Sequence, residues 1–421
     1  MADTRVTIAG VEWKNPVTTA SGTFGSGTEF SEFVDLNHLG AVTTKGVANV
    51  PWEGNPTPRV AEVYGGMMNA VGLQNPGIDV FCERDIPFLR KYDTKIIVNV
   101  CGRSEEDYCE VVERLASEDV DMLEINISCP NVKEGGIAFG QNPKAAETIT
   151  RAVKKYAKQP VIMKLSPNVT DITEMARAVE AGGADAVSLI NTLTGMKIDI
   201  NRKQFVLANK TGGVSGPVVK PIAVRMVYQV ANTVKIPIIG MGGISTWEDA
   251  VEFLLAGASA VSVGTANFYN PKATEEIADG IAAYMDRNGY AAVPEMVGIV
   301  KYRCVGVKES KTRGVPSRCA SFSKLRRVGG TDDDRFRTKA QLRESISGDS
   351  PGKSGSSVLR VSGKDGEVQY SGIYGKSRKR ETADFKRAVC GNWKQFLHSG
   401  TVSCDVGRPA CPPWKKRIYQ F

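Results

Sequence analysis

Eight short β-branched runs, separated by amphipathic stretches of helical period, constrain this chain more than any other feature. The runs are "PVTTASGT" (16–23), "AVTTKGV" (41–47), "IIVNVCG" (96–102), "MLEINISCP" (122–130), "VIMKLSPN" (161–168), "AVSLINT" (186–192), "IPIIGMGGI" (236–244) and "AVSVGTA" (260–266). They are apolar nearly throughout, as strands buried on both faces must be. Between them, Tyr108, Val111, Val112 and Leu115 share one helical face. Ile172, Met175, Ala176 and Val179 share another, which Gly182-Gly183 terminates. "STWEDAVEF" opens on a Ser/Thr cap with acids in its first turn. Eight such β/α units predict an α/β chain folded as a (β/α)8 TIM barrel. An open doubly wound sheet is the alternative, but no G-x-G-x-x-G follows the first run.

Chemistry in such barrels sits at the C-terminal ends of the strands. Here those ends carry Ser21, Lys45, Asn99, Asn126, Cys129, Lys164, Asn191 and Thr192. Packing alone would not select lysines and asparagines there. Three long loops, 48–81, 131–141 and 193–217, are placed to cover that face.

The pattern stops after Lys301. Residues 1–301 hold 28 Lys+Arg and 35 Asp+Glu, a net of −7, whereas residues 302–421 hold 26 and 11, a net of +15. The expected organisation is a barrel domain over 1–301 and a basic, Ser/Gly/Arg-rich extension over 302–421 that is disordered or weakly folded, or an accidental fusion. "KSRKRE" and "WKKR" within it suit nucleic-acid phosphates, but a solvated tail is the favoured reading. The nine cysteines include no C-x-x-C pair or zinc spacing, so reduced thiols in a cytoplasmic protein are expected. No apolar run approaches the ~20 residues of a membrane helix, and no signal peptide is recognisable.

Gly242-Gly243 follow the seventh run and Gly264-Thr265 the eighth. Glycines let backbone N–H groups close on a phosphate, and these two strands are the usual phosphate site of the fold. Tight turns alone would explain either pair singly. His38 precedes the second run, at the wrong end for catalysis, so a structural role is expected. No carboxylates cluster at the strand ends, which argues against a metal site. Lys45, Lys164 and Cys129 are left as reactive candidates. The thiol, with an ordinary pKa of about 8.5, suits either a covalent nucleophile or a proton acceptor. Asn69, Gln74 and Asn75 in "GGMMNAVGLQNPG", with Asn126 and Asn191, offer amide donors and acceptors for a polar heterocycle.

The ordered set "ASGTFG", "KGV", "GNPTPRVAE", "MNAVGLQNPG", "NISCPNVKEGG", "KLSPNVTDI", "INTLTG", "GGVSGP", "IIGMGGI" and "VGTANF" resembles the catalytic subunit of class 1B dihydroorotate dehydrogenases over about residues 4–300. The resemblance implies a TIM barrel holding FMN. By motif, FMN would be contacted by Ser21, Lys45, Gly46, Asn99, Asn126, Lys164, Ile190, Gly216, Gly242, Gly243, Gly264 and Thr265. Dihydroorotate would be held by Lys45, Asn69, Ala70, Val71, Gly72, Leu73, Asn126, Asn191 and Thr192. Cys129 would be the catalytic base, and Lys164, the other catalytic residue, would sit against the flavin's pyrimidine edge. The resemblance further implies a separate electron-transfer subunit carrying FAD and a [2Fe–2S] cluster, NAD+ as final acceptor, and a homodimer within a heterotetramer. The extension does not supply that subunit, because its cysteines (304, 319, 390, 404 and 411) lack a ferredoxin-like spacing.

Three other readings compete. Class 1A enzymes also use cysteine and reduce fumarate. Dihydropyrimidine dehydrogenase has a similar barrel, but this chain has no iron–sulfur cysteine run. A non-catalytic scaffold with a nucleic-acid-binding tail would not need every active-site position filled.

Overall fold

The computed structural model describes residues 2–129, 139–300, 360–364 and 367–371. Eight parallel strands close into a barrel in sequence order: β1 (Val17–Thr19), β2 (Ala41–Thr43), β3 (Lys95–Val100), β4 (Met122–Asn126), β5 (Val161–Lys164), β6 (Ala186–Leu189), β7 (Ile238–Met241) and β8 (Ala260–Val263). Seven fall inside one of the eight runs read from the sequence, and β3 begins one residue before its run. Nearly every residue of these strands is buried, because helices cover the outside and side chains fill the inside.

Helix ends follow their local chemistry. The Thr246 side chain caps the helix Trp247–Ala256 in a capping box with Asp249. Ser104 caps Glu105–Leu115, and Asp171 caps Ile172–Ala181. A hairpin, Val6–Ile8 paired with Val11–Trp13, buries Ile8 and Trp13 completely.

Two of the expected loops are not loops throughout. Segments from 48–81 and 193–217 join in a four-stranded antiparallel sheet, in the order 193–196, 211–215, 66–69 and 60–63. Gly213 pairs with Asn69 and Thr194 with Gly213. These strands are short and glycine-containing, and they bury only a small cluster around Ala61, Met68, Ala70 and Leu207. That leaves little periodic signal in the sequence. The third expected loop, 131–141, lies mostly outside the described residues.

The chain divides into two units, Met1–Lys308 and Glu309–Phe421. Of the basic extension the structure describes one antiparallel pair, Arg360–Lys364 with Glu367–Ser371. The basic motifs and the five cysteines of the extension lie outside the described residues.

Candidate active site

The floor of the barrel mouth is polar. Glu124, only 3% exposed, projects from β4. Its Oε2 accepts from Asn99 Nδ2 of β3 at 2.5 Å and from Lys164 Nζ of β5 at 3.3 Å, while its Oε1 accepts from Ser188 Oγ of β6 at 2.7 Å. Barrel register places these partners together: Asn99 lies opposite Glu124, Asn126 opposite Lys164, and Lys164 opposite Ser188. Asn126 Nδ2 donates to Asn99 Oδ1 at 3.3 Å. The chain then continues outward. Ser128 donates to Asn126 Oδ1 through its backbone N–H and its hydroxyl, at 3.2 and 2.9 Å, and Asn191 Nδ2 donates to Ser128 Oγ at 2.8 Å. The Asn191 side-chain oxygen accepts the Thr192 N–H at 2.7 Å. One connected network therefore joins Asn99, Asn126, Lys164, Asn191 and Thr192, five of the residues singled out in the sequence.

Cys129 lies three residues beyond β4 and is buried. Its thiol is close enough to Lys45, Cys101 and Tyr108 to act on the charge of each. Lys45, just past β2, is partly exposed in a cleft of about 520 Å³ that Gly46 also lines. Desolvation holds its ammonium below the usual lysine range; Cys101 and Cys129 oppose that shift, and the nearby charges of Lys164 and Arg59 add to it. Among the described residues, Lys45 has no carboxylate within ion-pair distance. Cys101, fully buried, is pushed up to about 12 by desolvation, so it is a neutral thiol at physiological pH. His38 stands elsewhere, with its ring Nε2 2.8 Å from Asp279 Oδ1 of the last barrel helix.

Across the mouth, Gly242 and Gly243 follow β7 with φ of +120° and +79°. A Cβ on Gly243 would lie 2.8 Å from the Lys220 backbone nitrogen and 2.9 Å from the Gly216 carbonyl oxygen. Gly264 packs on Ala20, and Thr265 Oγ1 donates to Ser215 Oγ at 2.8 Å. The ends of β7, β8 and β1 and the strand 211–215 thus form one small-residue rim. A glycine rim with no room for side chains lets backbone N–H groups approach a phosphate closely, so it fits one. The floor, with an ammonium and amides, fits the polar edge of a planar ring.

The loop after residue 66 brings the remaining candidates over the floor. Asn69 is the register partner of Gly213, and Thr192 packs against that same glycine. Asn55 Nδ2 donates to Ala70 O at 3.0 Å, and the Asn55 N–H donates to Val71 O at 2.9 Å. Gly72 and Leu73 both adopt positive φ, at +76° and +56°. Leu73 packs with Ala48, Trp52 and Cys101. Gly46 sits where a Cβ would approach Asn99 Oδ1 to 3.0 Å. Ile190 is buried beside Gly242, and Ser21 is half-exposed next to Gly22, whose added Cβ would lie 3.6 Å from Lys45 Nζ.

Glu124, Ser128 and Ser188 were not anticipated from the sequence. Glu124 had a signal: it is the one charge in the buried run "MLEINIS", and a charge buried on both strand faces needs partners. Among the described residues, no cluster of His, Cys, Asp and Glu is fit to hold a metal, and no helix is long and apolar enough to cross a membrane.

Residues 4–285 match the family described as dihydroorotate dehydrogenase. A protein of Lachnoclostridium phytofermentans is 70% identical over 299 residues, covering 71% of this chain and 100% of its own length. One of Alkaliphilus metalliredigens is 66% identical over 294 residues, covering 70% and 97%. One of Geobacter sulfurreducens is 58% identical over 300 residues, covering 71% and 98%. Each is named "Dihydroorotate dehydrogenase B (NAD(+)), catalytic subunit".

Proposed function

The chain belongs to the dihydroorotate dehydrogenase family, and on that premise we propose that it oxidises dihydroorotate to orotate, in pyrimidine synthesis, with FMN bound in the barrel mouth. The observation that carries this reading is the meeting, at one mouth, of a buried thiol, an ammonium without a carboxylate partner and a chain of amides. FMN, when bound, would supply the hydride acceptor for C6 of the substrate. The glycine rim of Gly216, Gly242, Gly243, Gly264 and Thr265 would hold its phosphate; Ser21, Gly46 and Ile190 would line the ring. Lys164, Asn99 and Asn126 would face the ring's pyrimidine edge.

Lys45 would form a charge-assisted pair with the substrate carboxylate. Asn126, Asn191, Thr192 and the segment Asn69–Leu73 would fix the pyrimidine ring and receive the charge that develops on its carbonyl. Cys129 would take the proton from C5. The Lys45 ammonium is close enough to interact with the thiolate that this transfer needs. Cys101 cannot share this role, because burial holds its proton in place to about pH 12.

The name "catalytic subunit" carried by the relatives supports a partner subunit and NAD+ as final acceptor for this chain too. FAD and a [2Fe–2S] cluster would reside on that partner, with two catalytic chains in a heterotetramer. The same names favour this over a fumarate-linked class 1A enzyme or a dihydropyrimidine dehydrogenase. We place the functional unit in residues 1–301, outside the basic extension. The test is purification followed by the visible spectrum. FMN should be present at one per chain, and product analysis after adding dihydroorotate should find orotate. A flavin-loaded chain that makes no orotate would overturn the substrate assignment.

A further inference from the structure

We propose that Glu124 is a positioning residue, which ties Lys164 and Asn99 into a charge-neutral donor pair and so sets the field at the floor of the flavin site. This deepens the reading above and rests on it for the identity of the flavin. It does not rest on it for the coupling between Glu124 and Lys164.

The geometry is that of a built unit. Glu124 and Lys164 have side chains 4% and 5% exposed. Burying a carboxylate and an ammonium is costly unless both are paired and further hydrogen bonds satisfy the remaining lone pairs. Glu124 meets that condition with three donors from three other strands: Asn99, Lys164 and Ser188. A carboxylate is the side chain that accepts from all three without offering a donor of its own. A lysine ammonium has three donors. Among the described residues, the hydrogen bond of Lys164 Nζ goes to Glu124 alone, which leaves donors for a ligand. Asn99 is held in the same way: its Nδ2 is committed to Glu124, so its Oδ1 faces the Asn126 amide.

The consequence is electrostatic. An unpaired ammonium beneath the pyrimidine edge would stabilise the extra negative charge of a reduced flavin. Paired with Glu124, Lys164 donates a hydrogen bond while the couple carries no net charge. Glu124 thus restrains the flavin from becoming too strong an oxidant to pass its electrons on.

Two substitutions separate charge from shape. Glu124→Gln can keep the contacts, with its oxygen accepting from Asn99 and Lys164 and its amide donating to Ser188, but it removes the charge. Glu124→Asp keeps the charge one methylene short. In FMN-loaded full-length protein, Glu124→Gln should raise the flavin midpoint potential, by at least tenfold in the reduction equilibrium, or about 30 mV for a two-electron couple. Glu124→Asp should stay nearer the parent value. An unchanged potential in Glu124→Gln at full flavin occupancy would overturn the proposal.

If Glu124→Gln fails to hold flavin, a thermal-unfolding cycle of flavin-free full-length protein decides. Removing one partner of a buried pair costs more than removing both. The double variant Glu124→Gln/Lys164→Met should therefore be more stable than Glu124→Gln alone. Additive losses would overturn the coupling. This outcome is independent of substrate identity: parent protein that holds flavin but makes no orotate would sink the function and leave the Glu124 result standing.

Discussion

Two lysines stand at the barrel mouth, and the protein treats them differently. Lys164, at the end of β5, is buried and given its own counter-charge by Glu124 at 3.3 Å. Lys45, just past β2, reaches an open cleft, has no carboxylate partner among the described residues and is held below the ordinary lysine range by desolvation. A cation neutralised from within serves as a fixed hydrogen-bond donor. A desolvated cation left without a protein carboxylate gains most from an anionic ligand. The contrast supports the proposed roles: Lys164 in the floor that would receive the cofactor, and Lys45 against the carboxylate of the substrate.

The largest expected effect breaks the chemistry on the Lys45 side. Cys129→Ala should slow flavin reduction by dihydroorotate about 10²–10⁴-fold at neutral pH, the usual contribution of a general base, while FMN stays bound. Cys101→Ala is the control from the same neighbourhood. Its rate should change less than about threefold, with a stability loss of roughly 1 kcal/mol from the small cavity. Rapid-mixing absorbance measures both rates.

The next effect sharpens the comparison itself. Lys45→Met should weaken orotate binding by about 10–150-fold, the worth of a charged hydrogen bond of roughly 1.5–3 kcal/mol, read as a spectral titration of the flavin. Lys45 is lowered, so its charge is lost at a pH below the usual lysine value. Orotate affinity in the parent protein should therefore fall as pH rises, and begin to fall below about pH 10.4. Retained affinity in Lys45→Met would remove the reason for distinguishing the two lysines.

A smaller effect concerns the phosphate rim. Gly243→Ala combines positive φ with a Cβ 2.8 Å from backbone. FMN affinity should drop about tenfold, in keeping with ~1–3 kcal/mol of local strain. The smallest effect is on the extension. Protein ending at Lys301 should remain soluble and flavin-loaded, since the relatives match this chain only over its first part and are covered almost completely by it.

What the sequence disclosed follows from where side chains are forced to point. The eight strands were legible because a strand buried on both faces has to be apolar throughout, and each β-branched run proved to hold one. Lys45, Asn99, Asn126, Cys129 and Lys164 were legible because polar groups at the ends of such runs have no packing reason to be there. The sheet over the mouth was not legible. Its strands are four or five residues long, and Gly66, Gly195, Gly212 and Gly213 carry no side chains to set a pattern. Glu124 escaped for the opposite reason: it sits inside a strongly apolar run, where the run masks the single charge. Its importance depends on three partners from other strands, which only the closed barrel brings together.

The most direct test of the account is single-turnover reduction of the FMN-loaded protein by dihydroorotate without oxygen, followed across pH for the parent and Cys129→Ala. The account predicts rapid bleaching in the parent, with a rate that rises as the thiol ionises, and slow bleaching without that rise in the variant. Equal rates and equal pH profiles in the two proteins would contradict it, because the proton would then leave C5 without Cys129.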